Sequence, residues 1–286
     1  MEYLFGVDGG GSGCRVAISD NKGNLIARAE GGPANIETAF NEAKTNILST
    51  CKKAILLAGL PTNIISTSYA VLGLAGSNMG DFDKALHSQL PFKDNQIVND
   101  SEITLEGAIG SSDGCIAAIG TGSVYAGRKN GKFKQLGGWG FLLGDDGSAA
   151  KLGRELLRYS ILCHENLERH SDLTVAIMDS YQNKIVNVVK RAIDFKPTDF
   201  GQFAPILFEY YHKKDPIAIK IINSEIPLIE KSIIAAGFDA GKPFCLLGGL
   251  GKFYISLISR NFADCTVPPQ GDALNGAIRL AIKNFT

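Results

Sequence analysis

The chain has 286 residues, 45% of them hydrophobic and 20% charged, which suits one large domain or two ordinary ones and argues against a disordered polymer. Lys and Arg total 29 and so do Asp and Glu, giving zero formal net charge and no overall basic excess for nucleic acid or an anionic membrane surface. No apolar run approaches the ~18 residues of a membrane span, and no basic stretch with an apolar signal core precedes the first strand-like segment. The six cysteines (14, 51, 115, 163, 245, 265) are scattered without CxxC or metal-ligand spacing. Buried thiols in a reducing, cytoplasmic setting are therefore expected.

In chain order, Tyr3 to Val7 reads as a strand leading into Asp8 and glycines. A second strand (Cys14 to Ser19), the turn Asp20-Asn21-Lys22-Gly23 and a third strand ending in Gly31-Gly32 follow. Residues 36–58 carry helical periodicity in Phe40, Ala43, Ile47, Cys51 and Ala54, and Ser68 to Leu74 reads as a strand. A short helix near Met79 to Gln89, a strand from Gln96 to Asn99 and a helix from Ser101 to Gly110 come next. Then Ile116 to Ile119, Gly120-Thr121-Gly122-Ser123, a strand to Gly127, the turn Lys129-Asn130-Gly131 and a strand ending in Gly137-Gly138 repeat the opening pattern. Two copies of one supersecondary unit are expected. The remainder reads as helices at about 146–163, 173–194, 202–213 and 215–237, a strand at 244–247, a helix near 252–261 and a closing helix from Gly271 to Lys283. This alternation predicts an α/β fold with helices concentrated in its second half.

The 33 glycines gather at 6–13, 30–32, 73–76, 120–123, 137–140, 144–148 and 247–251, mostly where an apolar run ends. Such loops bring backbone N–H groups close to a ligand, and several along one chain suggest one extended ligand. Asp8, followed by Gly9-Gly10-Gly11-Ser12, suits Mg²⁺-phosphate chemistry, the amides and hydroxyl facing phosphate and the carboxylate holding the metal through water. It is equally compatible with an ordinary hairpin turn. Gly120-Thr121-Gly122-Ser123 would supply a second cradle. Neither loop is a Walker A sequence, and no GxGxxG follows the first strand. Asp100, at the tip of Ile97-Val98-Asn99, stands where open α/β sheets present catalytic groups, and phosphoryl transfer to an alcohol needs such a carboxylate. Asp100 and Ser101 are also good helix caps. Trp139, the only tryptophan, lies in Gly137-Gly138-Trp139-Gly140 before Gly144-Asp145-Asp146-Gly147-Ser148, an aromatic-plus-acid pattern that suits a sugar but also a packed tryptophan with Asp146 or Ser148 capping the next helix. The four histidines show no ligand spacing.

These segments, in this order, resemble the sugar kinase, heat-shock chaperone and actin superfamily. Within it they are similar to the N-acetylglucosamine and glucosamine kinases of the BadF/BadG/BcrA/BcrD ATPase group, over essentially the whole chain. The resemblance rests on GVDGGGSGCRVAI, GGPANI, VND, IGTGS, GGWGFLLGDDGSA and LLGGLGK. It implies two ribonuclease H-like, actin/hexokinase-type domains with a cleft between them. These would be residues 1–110, with a C-terminal helix at about 271–286 packing back, and residues 111–270. It implies ATP and Mg²⁺, a small-molecule amino-sugar substrate phosphorylated at its 6-hydroxyl, and no nucleic-acid or membrane partner; relatives are often homodimers. Asp100 would be general base; Gly10, Gly11, Ser12, Thr121, Gly122, Gly248 and Gly249 would bind ATP; Asp8 would hold Mg²⁺ through water. Asn35, Ser123, Gly138, Trp139, Gly140 and Asp145 would line the sugar pocket. Val124 stands where N-acetylglucosamine kinases carry an asparagine, and Ser12 where the loop usually carries threonine. The alternative from another class is a nucleotide-driven switch acting on a partner protein. No cysteine has the setting of the iron–sulfur activators in that group.

Overall fold

The computed structural model describes residues 2–77 and 81–286. Two compact units emerge, Met1–Asp113 with Pro268–Thr286, and Gly114–Val267.

The first unit is built on a five-stranded sheet of β1 (Leu4–Gly9), β2 (Cys14–Ser19), β3 (Leu25–Gly31), β4 (Tyr69–Leu74) and β5 (Asp94–Asn99), ordered β3-β2-β1-β4-β5. β1 to β3 form an antiparallel meander, while β4 and β5 run parallel to β1. Nearly every residue of β1 is buried, because both faces of the sheet are covered. One face packs Phe5, Val7, Val16 and Leu72 against Ile47, Cys51, Ala54 and Ile55 of α1 (Phe40–Leu57). The other packs Leu4, Ala17 and Val71 against Ile103 of α3 (Asp100–Ile109) and Ala277 and Ile278 of the closing helix (Ala273–Phe285). These last two helices cross through glycines: a Cβ on Gly107 would lie 2.0 Å from the Asp272 carbonyl oxygen, and one on Gly276 would lie 1.9 Å from that of Ile103. The helix expected near Met79 to Gln89 appears as α2, Phe82–His87, and its expected start at Met79 lies outside the described residues.

The second unit repeats the plan with β6 (Gly114–Ile119), β7 (Ser123–Lys129), β8 (Lys132–Gly137) and, parallel to β6, β9 (Phe244–Leu247), in the order β8-β7-β6-β9. The position corresponding to β5 shrinks to a single parallel bridge between Phe244 and Thr266. The expected internal repeat is thus a repeat of strand topology, and the ribonuclease H-like arrangement of both sheets follows from it. Helices α4 (Ala149–His164), α5 (Asp172–Ser180), α6 (Ile185–Ile193), α7 (Pro197–Gly201), α8 (Ala204–His212) and α9 (Pro216–Ala235) make this half helix-rich. They share a core with Ala117, Ile119 and Phe244 of the sheet.

Two helices expected as single rods are broken. The stretch 173–194 divides into α5 and α6 because Gln182 and Asn183 take left-handed backbone angles, φ 59° and 54°. The Asn183 side chain stabilises that corner by donating to Asp179 (2.7 Å). The stretch 252–261 divides into α10 (Gly251–Tyr254) and α11 (Arg260–Ala263). Among the described residues no helix is long and apolar enough to cross a membrane.

Candidate active site

In the first unit, the parallel strands β1, β4 and β5 end on one edge. Register pairs Asp8 with Gly73, and Leu74 with Asn99, so Asp8 and the Asp100 that follows β5 are presented on the same edge, one strand apart. The turn after Asp8 closes with the Gly10 N–H donating to the Gly13 carbonyl (2.9 Å). A Cβ at Gly10 or Gly11 would meet nothing within 4 Å, and Ser12 is exposed, so this loop is open to a ligand. A cavity of about 450 Å³ lies along it, walled by Asp8, Gly10, Ser12 and Arg15.

Arg15 was not anticipated. It sits opposite Asp8 across the β1–β2 hairpin, and its guanidinium ion-pairs with the Asp8 carboxylate, Nε lying 3.0 Å from Oδ2. The available signal was a basic residue seven positions after Asp8 across a glycine turn, which the hairpin register brings face to face.

Asp100 is the first residue of α3 but not its cap. Asn99 takes that role, its Oδ1 accepting from the Ser101 N–H (2.9 Å) and the Ser101 hydroxyl (2.7 Å). The Asp100 carboxyl is pushed up from 3.8 to about 6, first by burial and then by the negative charge of Asp8, with helix N-terminal amides pulling the other way. Asn35, on the loop after β3, turns its side-chain Oδ1 to the N–H groups of Glu37 (3.0 Å) and Thr38 (3.2 Å), which fixes the orientation of the side chain. That loop is pinned beside the first glycine turn by Ala34 N–H to Gly10 O (2.9 Å) and by Ile36 N–H to Ala75 O (3.2 Å).

Among the described residues no group of three or more His, Cys, Asp or Glu gathers as a metal cage. Asp8 and Asp100 on one open glycine edge instead fit a cation held by one or two carboxylates together with substrate oxygens, the usual manner of Mg²⁺.

In the second unit, the Gly120–Gly122 turn closes with Gly120 N–H to Gly122 O (2.8 Å), and the first turn of α4 fixes it from behind through Ala149 N–H to Gly120 O (2.9 Å) and Ala150 N–H to Thr121 O (3.2 Å). Thr121 is exposed and Gly120 faces open space. Gly248 lies against the end of the neighbouring strand. Its φ is +82°, a Cβ there would sit 2.3 Å from the Ile119 carbonyl oxygen, and Leu250 N–H bonds that same oxygen (3.0 Å). Gly249 faces open space. The two glycine loops of this unit therefore share one strand edge.

Ser123, Trp139 and Asp145 line a second cavity of about 360 Å³, together with Asp146, Leu228 and Lys231. Trp139 is 63% exposed between Gly138 and Gly140, both with positive φ. Asp145 is buried in a left-handed conformation (φ 59°), and its Oδ1 accepts from the Ser123 N–H (3.3 Å). Burial raises its carboxyl, the Ser123 amide opposes that, and Asp146 adds to the rise. Ser123 is itself buried, and its hydroxyl donates to the Asp146 carbonyl (2.8 Å). The α4 cap is Ser148, accepting from Lys151 N–H (3.2 Å), which leaves both acids free of that duty.

Residues 5–279 match the BadF/BadG/BcrA/BcrD ATPase family. The chain belongs to that family. Membership accounts for two glycine-loop units on one chain and implies ATP as the nucleotide. Within the curated proteins, this family member is 29% identical to glucosamine kinase GspK of Vibrio cholerae over 99% of this chain and 97% of that protein. It is 25% identical to the N-acetylmuramic acid/N-acetylglucosamine kinase of Clostridium acetobutylicum over 82% and 80% of the two chains. A solved structure from Chromobacterium violaceum, carrying a provisional N-acetylglucosamine kinase designation, superposes with a TM-score of 0.89 at 30% identity, covering 99% of each chain.

Proposed function

We propose that this family member is an ATP-dependent amino-sugar kinase that transfers the γ-phosphoryl group of ATP to the 6-hydroxyl of glucosamine or N-acetylglucosamine. The observation that carries the reading is Asp100, a largely buried carboxyl on the same strand edge as Asp8 and one strand away, with Asn99 capping α3 in its place and its carboxyl raised to about 6. The amino-sugar kinases among its relatives, matched over 99% and 82% of this chain, support the substrate class.

In this reading the Asp100 carboxylate accepts the proton of the sugar hydroxyl as its oxygen attacks phosphorus. Ser12, Gly10, Gly11, Thr121 and Gly122 contact the phosphates, and Gly248 and Gly249 admit the nucleoside. Asp8 is the residue that would hold Mg²⁺, which when bound would supply charge neutralisation of the phosphates. Arg15 restrains the Asp8 carboxylate. Trp139 offers a flat apolar face to the sugar ring, Asp145 accepts from its hydroxyls, and Asn35 donates to it. Most of the rate comes from positioning and electrostatics. The two units act as two ATPase-like domains, in a cytoplasmic homodimer.

Phosphorus and proton NMR of the product formed from each amino sugar tests the regiochemistry. Coupling of phosphorus to the C6 protons is expected. A phosphate on another carbon, or inorganic phosphate alone, would defeat the assignment, the latter in favour of a partner-driven ATPase.

A further inference from the structure

Glu225 lies in the middle of α9 and is only 6% exposed, a place where a carboxylate is costly unless it is paired. Its Oε2 accepts the Gly147 N–H at 2.8 Å and lies 3.3 Å from the Lys151 ammonium of α4, which also ion-pairs Asp146. From α10, the Tyr254 hydroxyl donates to the Gly147 carbonyl at 2.7 Å. Burial raises the Tyr254 phenol above its ordinary range, so it stays a donor. Gly147 is thus gripped at both its N–H and its C=O. Only glycine suits the position, since φ is +76° and a Cβ would lie 2.6 Å from the Ile229 Cδ1.

The gripped residue is two places from Asp145, whose left-handed conformation needs support from its surroundings. Between them, the Asp146 carbonyl accepts from Ser123 Oγ (2.8 Å) and Tyr125 OH (3.5 Å). The neighbouring turn is tied in as well: Gly144 N–H donates to Gly140 O (2.9 Å), and a Cβ on Gly144 would touch that of Trp139 at 3.4 Å. A scaffold of α4, α9 and α10 therefore fixes the segment that carries two walls of the 360 Å³ cavity.

We propose that Glu225 and Tyr254 are positioning residues that clamp Gly147 and thereby set the Asp145 carboxylate and the adjoining Trp139 turn for the sugar acceptor. The ligand in this statement rests on the amino-sugar reading; the clamp is a property of the loop itself.

The test compares Tyr254→Phe and Glu225→Gln with the wild-type full chain. Tyr254→Phe removes one donor and keeps the ring's edge contact with Phe208 (5.9 Å). Glu225→Gln keeps an acceptor for Gly147 N–H and removes the charge facing Lys151, so it should behave as the milder variant. Amide hydrogen exchange of residues 144–148 is measured without ligand, and glucosamine and N-acetylglucosamine are titrated by the fluorescence of Trp139, the only tryptophan. Steady-state KM values for sugar and ATP complete the set.

In Tyr254→Phe, exchange at Gly147 and Ser148 should rise several-fold and sugar affinity should fall about 3- to 10-fold, the worth of one net hydrogen bond. The KM for ATP should stay within about twofold. A lowered melting temperature with unchanged loop exchange and unchanged sugar affinity would reduce both residues to structural ones and overturn the proposal. If the wild-type chain binds neither sugar, the amino-sugar reading falls, and the exchange data alone decide whether the clamp stands.

Discussion

Replacing Asp100 with asparagine should make the protein more stable and far less active, and the two effects should separate with pH. The folded state holds the Asp100 carboxyl near 6 against an ordinary 3.8, a difference of two units. That corresponds to about 3 kcal/mol of preference for the protonated form. A raised carboxyl contributes its full stability below the unfolded value and loses it as pH climbs through the folded value, here between about 4 and 6. At pH 8 the wild type carries the whole cost, and Asp100→Asn, isosteric and uncharged, relieves most of it. Its amide oxygen can still accept from the N-terminal amides of α3. A gain of about 2 kcal/mol, or about 4 to 8 °C in melting temperature for a chain of this size, is expected at pH 8 and should shrink to about 0.5 kcal/mol or less at pH 4. Turnover at pH 8 should fall about 10²- to 10⁴-fold, the usual loss for a general base. Wild-type log kcat/KM should rise with unit slope below pH about 6 and level off above it, and the residual activity of the variant should show no such bend. Calorimetry at the two pH values and a pH–rate profile decide the matter. A variant no more stable at pH 8 than the wild type would refute the electrostatic argument; a loss of turnover under tenfold would refute the catalytic one.

Gly276→Ala should destabilise the first unit by several kcal/mol, because its Cβ would have to displace the Ile103 carbonyl 1.9 Å away; an unchanged melting temperature would show that the two helices separate freely. Gly248→Ala, strained at φ +82° and crowding the Ile119 carbonyl, should raise the KM for ATP more than that for sugar; the reverse order would remove the β9 loop from the nucleotide site. Trp139→Ala should raise the sugar KM about tenfold or more while shifting the melting temperature little, since the side chain is 63% exposed; an unchanged sugar KM would show that the ring is no platform for the acceptor.

Much of this architecture could be read from the chain, because its signals are local. The hairpin signals Asp20-Asn21-Lys22-Gly23 and Lys129-Asn130-Gly131 both connect antiparallel strands, and the apolar runs into Asp8, Asp100 and Gly120 are strands that end where the sequence reading put strand ends. What escaped depends on distance in sequence or on single-residue geometry. Arg15 was invisible until hairpin register set it opposite Asp8. Glu225 and Tyr254 read as an isolated polar position in a helix and an ordinary aromatic, because their partner Gly147 is 78 and 107 residues away. The break at Gln182 and Asn183 was hidden because apolar residues on both sides keep helical spacing across it. The capping ambiguity at Asp100 turned on one hydrogen bond, that of Asn99, which spacing alone does not assign.

The most direct test is ADP release from ATP and Mg²⁺ by the wild-type chain, with glucosamine, N-acetylglucosamine, N-acetylmannosamine, glucose or no sugar added. Strong stimulation by glucosamine or N-acetylglucosamine, abolished in Asp100→Asn, is the predicted result. ADP release that is indifferent to every sugar would contradict the account.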